Sequence, residues 1–132
     1  MHTLCLDTTK RAEMIDITSR VGKIVKDSEI KDGLCVIFCP HTTAGLTINE
    51  NADPSVKKDI LTHLEELVPQ DKNYTHTEGN SAAHIKSSLV GSSLYVIVEC
   101  GALVLGTWQG VYLCEFDGPR QRHIYVQTIA AQ

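Results

Sequence analysis

Histidine is where this sequence concentrates its capacity for chemistry, with six in 132 residues, unevenly placed. His41 follows the apolar run LCVIFCP and opens the stretch HTTAGLTINENADP. His84 follows the polar segment QDKNYTHTEGNSAAH. An imidazole changes charge near neutral pH and offers a metal-binding nitrogen, so two of them brought together could act as acid and base or hold a divalent transition metal, zinc being the usual one. A histidine at a strand end is held rigidly while still facing a cleft. His41 and His84 are therefore the candidate catalytic pair and the candidate metal ligands. His2, His63 and His123 read as terminal, helix-surface and strand-start residues, although Arg120 and Arg122 beside His123 make it less ordinary.

Carboxylates and amides crowd the same stretch. Glu50 precedes a helix rather than lying within its capping turn, which makes it the better general base or ligand. Asn49 is a neighbouring ligand-binding candidate, and Asp53 is a helix cap. The pattern GTWQG places Trp108 and Gln109 between two glycines. Trp108 could stack on a flat ring while Gln109 bonds its edge; equally, the tryptophan could pack at a strand crossing or subunit contact. Lys86, Arg120 and Arg122 are the cations that could meet a phosphate, arginine by its planar fork. HExxH, paired CxxC and GxxxxGK[ST] are all absent, so any metal or phosphate site has to be assembled from distant segments.

The elements that would position these groups can be read from periodicity. Leu4 and Leu6 alternate with polar residues as an opening strand, and Ser19 to Asp27 shows helical spacing of apolar residues after Thr18 or Ser19 as a cap. Asp32-Gly33 marks a turn before LCVIFCP. Asp53-Pro54 starts a helix that runs to about Val68 with Ile60, Leu61, Leu64, Leu67 and Val68 as its apolar stripe; Pro69 stops it. SAAHIKSSL reads as a short helix capped by Ser81, and Leu46 to Ile48 as a short strand. LYVIVEC, ALVLGTWQGVYLCEF and HIYVQTIA are strand runs. The sum is one compact α+β domain over residues 1–132, with β-rich antiparallel sheet layers and a few helices.

Composition narrows the function classes. A net charge of -4 without a basic run argues against a nucleic-acid groove or a polybasic membrane patch. Apolar stretches of about eight residues fall short of a membrane span, and MHTLCLDTTK lacks a signal peptide's apolar segment, so a cytoplasmic protein is expected. The five cysteines are an odd number, four of them in apolar runs, and read as reduced core residues. Cys35 and Cys39 would share a strand face about ten ångströms or more apart and so could not chelate one metal.

Three ordered motifs, HTTAGLTINENADPSV (His41 to Val56), EGNSAAHIKSSLVG (Glu78 to Gly91) and LGTWQGVYLCEFD (Leu105 to Asp117), resemble the YjbQ-like family, also called the secondary thiamine-phosphate synthase family. The resemblance implies a β-rich α+β homotrimer with polar residues gathered in a cleft near a subunit boundary. It also implies a weak joining of a pyrimidine diphosphate to a thiazole phosphate. His41, Asn49, Glu50, Asp53, His84, Lys86, Trp108 and Gln109 fall on the family's motif positions. Where relatives carry a loop of the type EGPDDMPAH, this chain has EGNSAAH, two carboxylates fewer. The implied mechanism neutralises the diphosphate with Mg²⁺ held by Glu50, aided by Lys86 or Arg122, while His41 and His84 handle protons. Two other classes stand beside it: a metal-dependent hydrolase built on His41, His84 and Glu50, and a trimeric module that holds a small phosphorylated ligand without turning it over.

Overall fold

A computed structural model describes residues 1–132 as eight strands and three helices. In chain order these are β1 (His2–Asp7), β2 (Glu13–Asp16), α1 (Thr18–Asp27), β3 (Gly33–Phe38), β4 (Ala44–Glu50), α2 (Pro54–Leu67), α3 (Ser81–Val90), β5 (Ser93–Glu99), β6 (Ala102–Leu103), β7 (Gln109–Glu115) and β8 (Gln121–Ala130). They form a five-stranded sheet in the order β1-β8-β3-β5-β6 and a three-stranded sheet in the order β2-β7-β4. Every strand pairing is antiparallel. This is the α+β, β-rich architecture that the periodicity predicts.

The main core lies where the two sheets face each other. Cys35, Ile37, Val96, Val98, Ile124 and Val126 point in from the larger sheet, Leu46, Val111 and Leu113 from the smaller, and Ile17 at the cap of α1 with Val21 and Val25 within it close one side. Strand alternation sends Tyr112 and Cys114 of β7 to the opposite face, where with Met14, Ala83 and Phe116 they make a second cluster. Ile60, Leu61 and Leu64 of α2 cover that cluster. The smaller sheet is thus buried on both faces, which is why β7 reads as a near-continuous apolar run.

Local chemistry explains most boundaries. Asp53 Oδ1 accepts from the Ser55 amide at 2.9 Å and its hydroxyl at 2.7 Å, with Pro54 in the first turn, so α2 starts as expected. Leu67, expected on the buried stripe, instead faces solvent in the last turn. Helix α1 begins at Thr18, one residue before the expected start. Asp16 Oδ1 accepts from the Thr18 amide, and the Thr18 hydroxyl donates to the same carboxylate while accepting from the Val111 amide. Ser81 is the first residue of α3 rather than its cap. Asn80 takes the cap position and spends its side chain on Asp117. The run ALVLGTWQGVYLCEF is two strands, because Gly106 to Gln109 form a turn closed by Gln109 N–H to Gly106 O and Gly106 N–H to Gln109 Oε1. Of the cysteines, Cys35, Cys39 and Cys114 are buried as expected, but Cys5 and Cys100 are exposed, Cys5 on the outer face of β1 and Cys100 in the β5–β6 turn.

One polar group is embedded in this apolar frame. Glu115, at the end of β7, is fully buried, and its carboxylate receives Arg122 Nε and Nη2 from β8, Thr8 Oγ1, and the amides of Phe116 and Asp117. Arg122 Nη2 also donates to Thr43 Oγ1 and the Thr43 carbonyl. The pair joins the two sheets and the loop that carries His41. Breaking one partner leaves a buried charge uncompensated, so Arg122→Ala is expected to lower unfolding stability by about 3–5 kcal/mol in urea titrations, whereas the double variant Arg122→Met with Glu115→Leu recovers much of that loss. Equal losses in the single and double variants would show that the pair does not hold the sheets together.

Candidate functional site

His41 lies in the loop between β3 and β4. Its Nε2 accepts the backbone N–H of His123 at 2.9 Å, and its ring stacks on the His123 ring with centroids 6.2 Å apart. Adjacent residues of β8 point to opposite faces, so Arg122 turns inward to grip Thr43 while His123 turns outward to meet His41. Together they hold the loop from both sides. His123 Nδ1 in turn lies 3.4 Å from Cys5 Sγ on the paired strand.

Across a hollow of about 360 Å³ stands α3. His84, Ser87, Ser88 and Gly91 recur three and four residues apart, so they share one helix face and line the hollow opposite His41 and Thr42; Ala44 and Ser92 complete it. The end of α3 is docked on β4 by the Leu46 N–H donating to the Gly91 carbonyl at 2.9 Å. This closeness needs glycine at position 45, where a Cβ would sit 2.6 Å from that same oxygen. His84 also meets the edge of His76, ring centroids 5.3 Å apart, in a neighbouring hollow bordered by Tyr74 and Ser81.

Lys86 is two residues from His84, on the other side of the helix. It is 1% exposed; its ammonium is bound by Glu65 of α2 and lies 5.9 Å from the centre of the Phe116 ring, and Glu65 also takes Arg11 at 3.0 Å. Arg122 is committed to Glu115. The structure therefore directs Lys86 and Arg122, two of the three cations read as phosphate ligands, into internal ion pairs, away from the cleft. Arg120 spends its guanidinium on Asp117 at 2.9 Å.

Glu50 and Asn49 are not beside His41. They end β4, six residues from the Ala44 that borders the cleft, which at ~3.3 Å per residue is roughly 20 Å away. There the β4–β7 register pairs Asn49 with Gly110 and Glu50 with Gln109, and the Asn51 amide donates to the Trp108 carbonyl. Gly110 lies under Asn51, whose side-chain nitrogen a Cβ would approach to 2.6 Å. Trp108 is 63% exposed at the turn. The motif residues thus form two groups at opposite ends of β4: an imidazole and hydroxyl cleft, and an amide, carboxylate and tryptophan edge.

Several residues of the site carry sequence signals only in retrospect. Ser87 and Ser88 follow His84 at helical spacing, a pattern visible once α3 is granted. Glu115 is the lone acid in a strand run, and only a partner 7 residues on explains it. His123 stands out in the sequence only for Arg120 and Arg122 beside it, because its role depends on register with β1 and contact with the loop after β3.

The electrostatics of His41 are set by its surroundings. Burial and then the Arg122 charge hold its pKa below the usual 6.5, with His123 and Glu115 the other titratable groups facing it. The amide aimed at Nε2 further opposes a proton on that nitrogen. In the neutral ring the proton therefore sits on Nδ1. Metal coordination through Nδ1 would need the proton on Nε2, facing another N–H, and no third His, Cys, Asp or Glu joins His41 and His84. The residues present do not fit a metal in this arrangement.

An α+β domain with a hydroxyl-lined, two-imidazole cleft is the class of protein these features define. The chain belongs to the YjbQ-like family: the family model described as "UPF0047 protein YjbQ-like" matches residues 2–131. It is 57% identical over 130 residues to the UPF0047 protein YugU of Bacillus subtilis, covering 98% of each chain. It is 56% identical over 124 residues to a UPF0047 protein of Methanocaldococcus jannaschii, covering 94% of this chain and 90% of that one. Among solved structures, an uncharacterised conserved protein of the family from Clostridium acetobutylicum superposes with a TM-score of 0.96 at 54% identity, covering 98% of this chain and all of that one. A YbjQ-like protein of unknown function from Sulfolobus solfataricus gives a TM-score of 0.95 at 36% identity, covering 98% and 96%.

Because folding lowers the proton affinity of His41, the unfolded chain takes up that proton first as pH falls below 6.5. This contribution to stability is complete above pH 6.5 and is lost as pH falls through the lower folded value. Denaturation midpoints measured from about pH 7.5 to 5 should decline less steeply in His41→Asn than in the parent chain. Parallel curves would mean that the ring titrates freely in the fold.

Proposed function

We propose that this chain is a small-molecule enzyme that works by proton transfer in the cleft between His41 and His84. The observation that carries the reading is the unequal restraint of the two rings that face one hollow. His41 has its Nε2 occupied by the His123 amide and so presents a fixed Nδ1–H donor, while His84 meets only the edge of His76 and can take up and return a proton. A fixed donor suits an oxygen that gains negative charge during reaction, and a movable proton carrier suits the atom that loses hydrogen.

A second reading is the synthase reaction that the three ordered motifs imply. Its substrates bring phosphates, and with Lys86 and Arg122 in internal pairs the countercharge falls to Mg²⁺, whose expected ligand Glu50 lies at the far end of β4. The assay is diphosphate release from a pyrimidine diphosphate and a thiazole phosphate with Mg²⁺. If the His41–His84 cleft is the reaction centre, His84→Ala lowers any turnover by roughly 100-fold or more. Turnover that His84→Ala leaves intact would move the chemistry elsewhere. A metal-dependent hydrolase is the rival: zinc found at stoichiometry by elemental analysis and absent from His41→Ala would replace the proton-transfer reading. Phosphorylated ligands bound tightly and never converted would make the chain a binding module.

The proposal includes a homotrimer acting in the cytoplasm, the latter in keeping with five unpaired cysteines. Support for assembly comes from the outer face of the five-stranded sheet, where alternation places Leu34, Phe38, Tyr95, Ile97 and Ile129 outward and Tyr95 is 79% exposed. No helix is long and apolar enough to cross a membrane. Light scattering should give three times the 14.5 kDa chain mass, and Tyr95→Lys with Ile97→Lys should reduce it. A monomeric parent chain would remove the trimer from the proposal.

A further inference from the structure

The five thiols of this chain stand in unequal surroundings. Cys35, Cys39 and Cys114 are buried, and burial pushes Cys35 up to about 11, Cys114 up to about 12 and Cys39 in the same direction, which leaves all three inert near neutral pH. Cys5 and Cys100 are exposed. Of these two, Cys5 alone has a side chain within hydrogen-bonding reach of its sulfur: Sγ lies 3.4 Å from His123 Nδ1.

The sheet itself builds this pair. Cys5 and His123 are direct cross-strand partners in the β1–β8 ladder, and both side chains take the outer face because Leu6, Arg122 and Ile124 beside them point inward. β1 is the last strand of its sheet, so a reagent from solvent can reach the exposed sulfur. His123 is held from its other side, where its backbone N–H donates to His41 Nε2 at 2.9 Å and its ring lies within 20° of parallel to the His41 ring. His123 Nε2 has no partner in the chain. The neutral ring can therefore carry its hydrogen there and leave Nδ1, the nitrogen facing the thiol, as an acceptor.

From this geometry we infer that Cys5 is a modification site: with His123 as its base, it exchanges with low-molecular-weight disulfides and keeps one half of the reagent as a mixed disulfide. A thiol with a base in hydrogen-bond reach, the base in turn oriented by a third group, is the arrangement that activates a cysteine nucleophile, and His41 is the third group here. The Cys5 hydrogen passes to His123 Nδ1, and the sulfur electron pair forms the new S–S bond. The reagent's own S–S bond breaks, its electron pair leaves on the departing sulfur, and His123 returns the proton to that sulfur. Cys5 is oxidised and one half of the reagent is reduced to a thiol, with no further reactant. The site lies outside the hollow between His41 and His84, whose walls include neither Cys5 nor His123, and the inference holds whether or not that hollow transfers protons.

The test treats the folded, reduced full-length protein at neutral pH with hydroxyethyl disulfide and follows each cysteine-containing peptide by mass spectrometry. Cys5 should be modified roughly ten-fold or more faster than Cys100, with the three buried thiols protected. In urea, where the β1–β8 pairing is lost, the two rates should converge. His123→Phe keeps the backbone N–H and a ring against His41 but removes the basic nitrogen, and should bring Cys5 down to the Cys100 rate. Equal rates at Cys5 and Cys100 in the folded parent chain overturn the inference, as does a Cys5 advantage that survives in urea or in His123→Phe. Should His123→Phe expose the three buried thiols, the variant has lost its fold, and His123→Gln takes its place in the same comparison.

Discussion

The buried pair of Glu115 and Arg122 is the contact on which the arrangement of this protein turns. A carboxylate inside an apolar interface is tolerable only when its oxygens are saturated, and here five donors from four residues converge on it. Those donors are the reason the two sheets meet in one register. Arg122 comes from the larger sheet, Glu115 ends the central strand of the smaller, and Thr8 closes the end of β1. Through the same Nη2 that binds Glu115, Arg122 also holds Thr43 and so sets the loop in which His41 stands; a structural ion pair reaches the site without entering it.

That indirect reach extends to the chemistry of the cleft. Arginine beside a half-buried imidazole favours the neutral ring, and the backbone of the next residue, His123, then chooses which nitrogen is protonated. The side opposite is organised by helix geometry alone. A helix that turns His84, Ser87 and Ser88 toward the hollow must turn Lys86 away from it, and α2 supplies Glu65 to receive the ammonium. The cleft is therefore rich in hydrogen-bond donors and poor in charge because both frameworks that hold it have used their cations internally.

Much of the fold was legible in the linear sequence, and particular residues show why. Asp53-Pro54 starts a helix because the capping oxygen and the missing N–H act within two residues; LCVIFCP is a strand because its alternate side chains, Cys35 and Ile37, have a core to enter. The imidazoles at 41 and 84 were legible as chemistry for the same local reason, being polar groups at the ends of regular elements. Less legible was anything decided between segments. Lys86 and Arg122 look like available cations until Glu65, 21 residues before the one, and Glu115, 7 before the other, are seen to claim them.

Glu50 makes the same point in the opposite sense. It lies nine residues from His41 in a motif that reads as one unit, yet an extended strand converts nearness in sequence into about 20 Å of separation. Periodicity, capping and composition act over a few residues, and through them the sequence by itself determined the element types, the antiparallel α+β class and the two histidines. Tertiary structure decided which cations are free, which nitrogen of His41 bears its hydrogen and which serine lacks a partner. Those outcomes depend on pairings across 82 residues or between helix and sheet, where only the folded chain brings donor and acceptor within bonding distance.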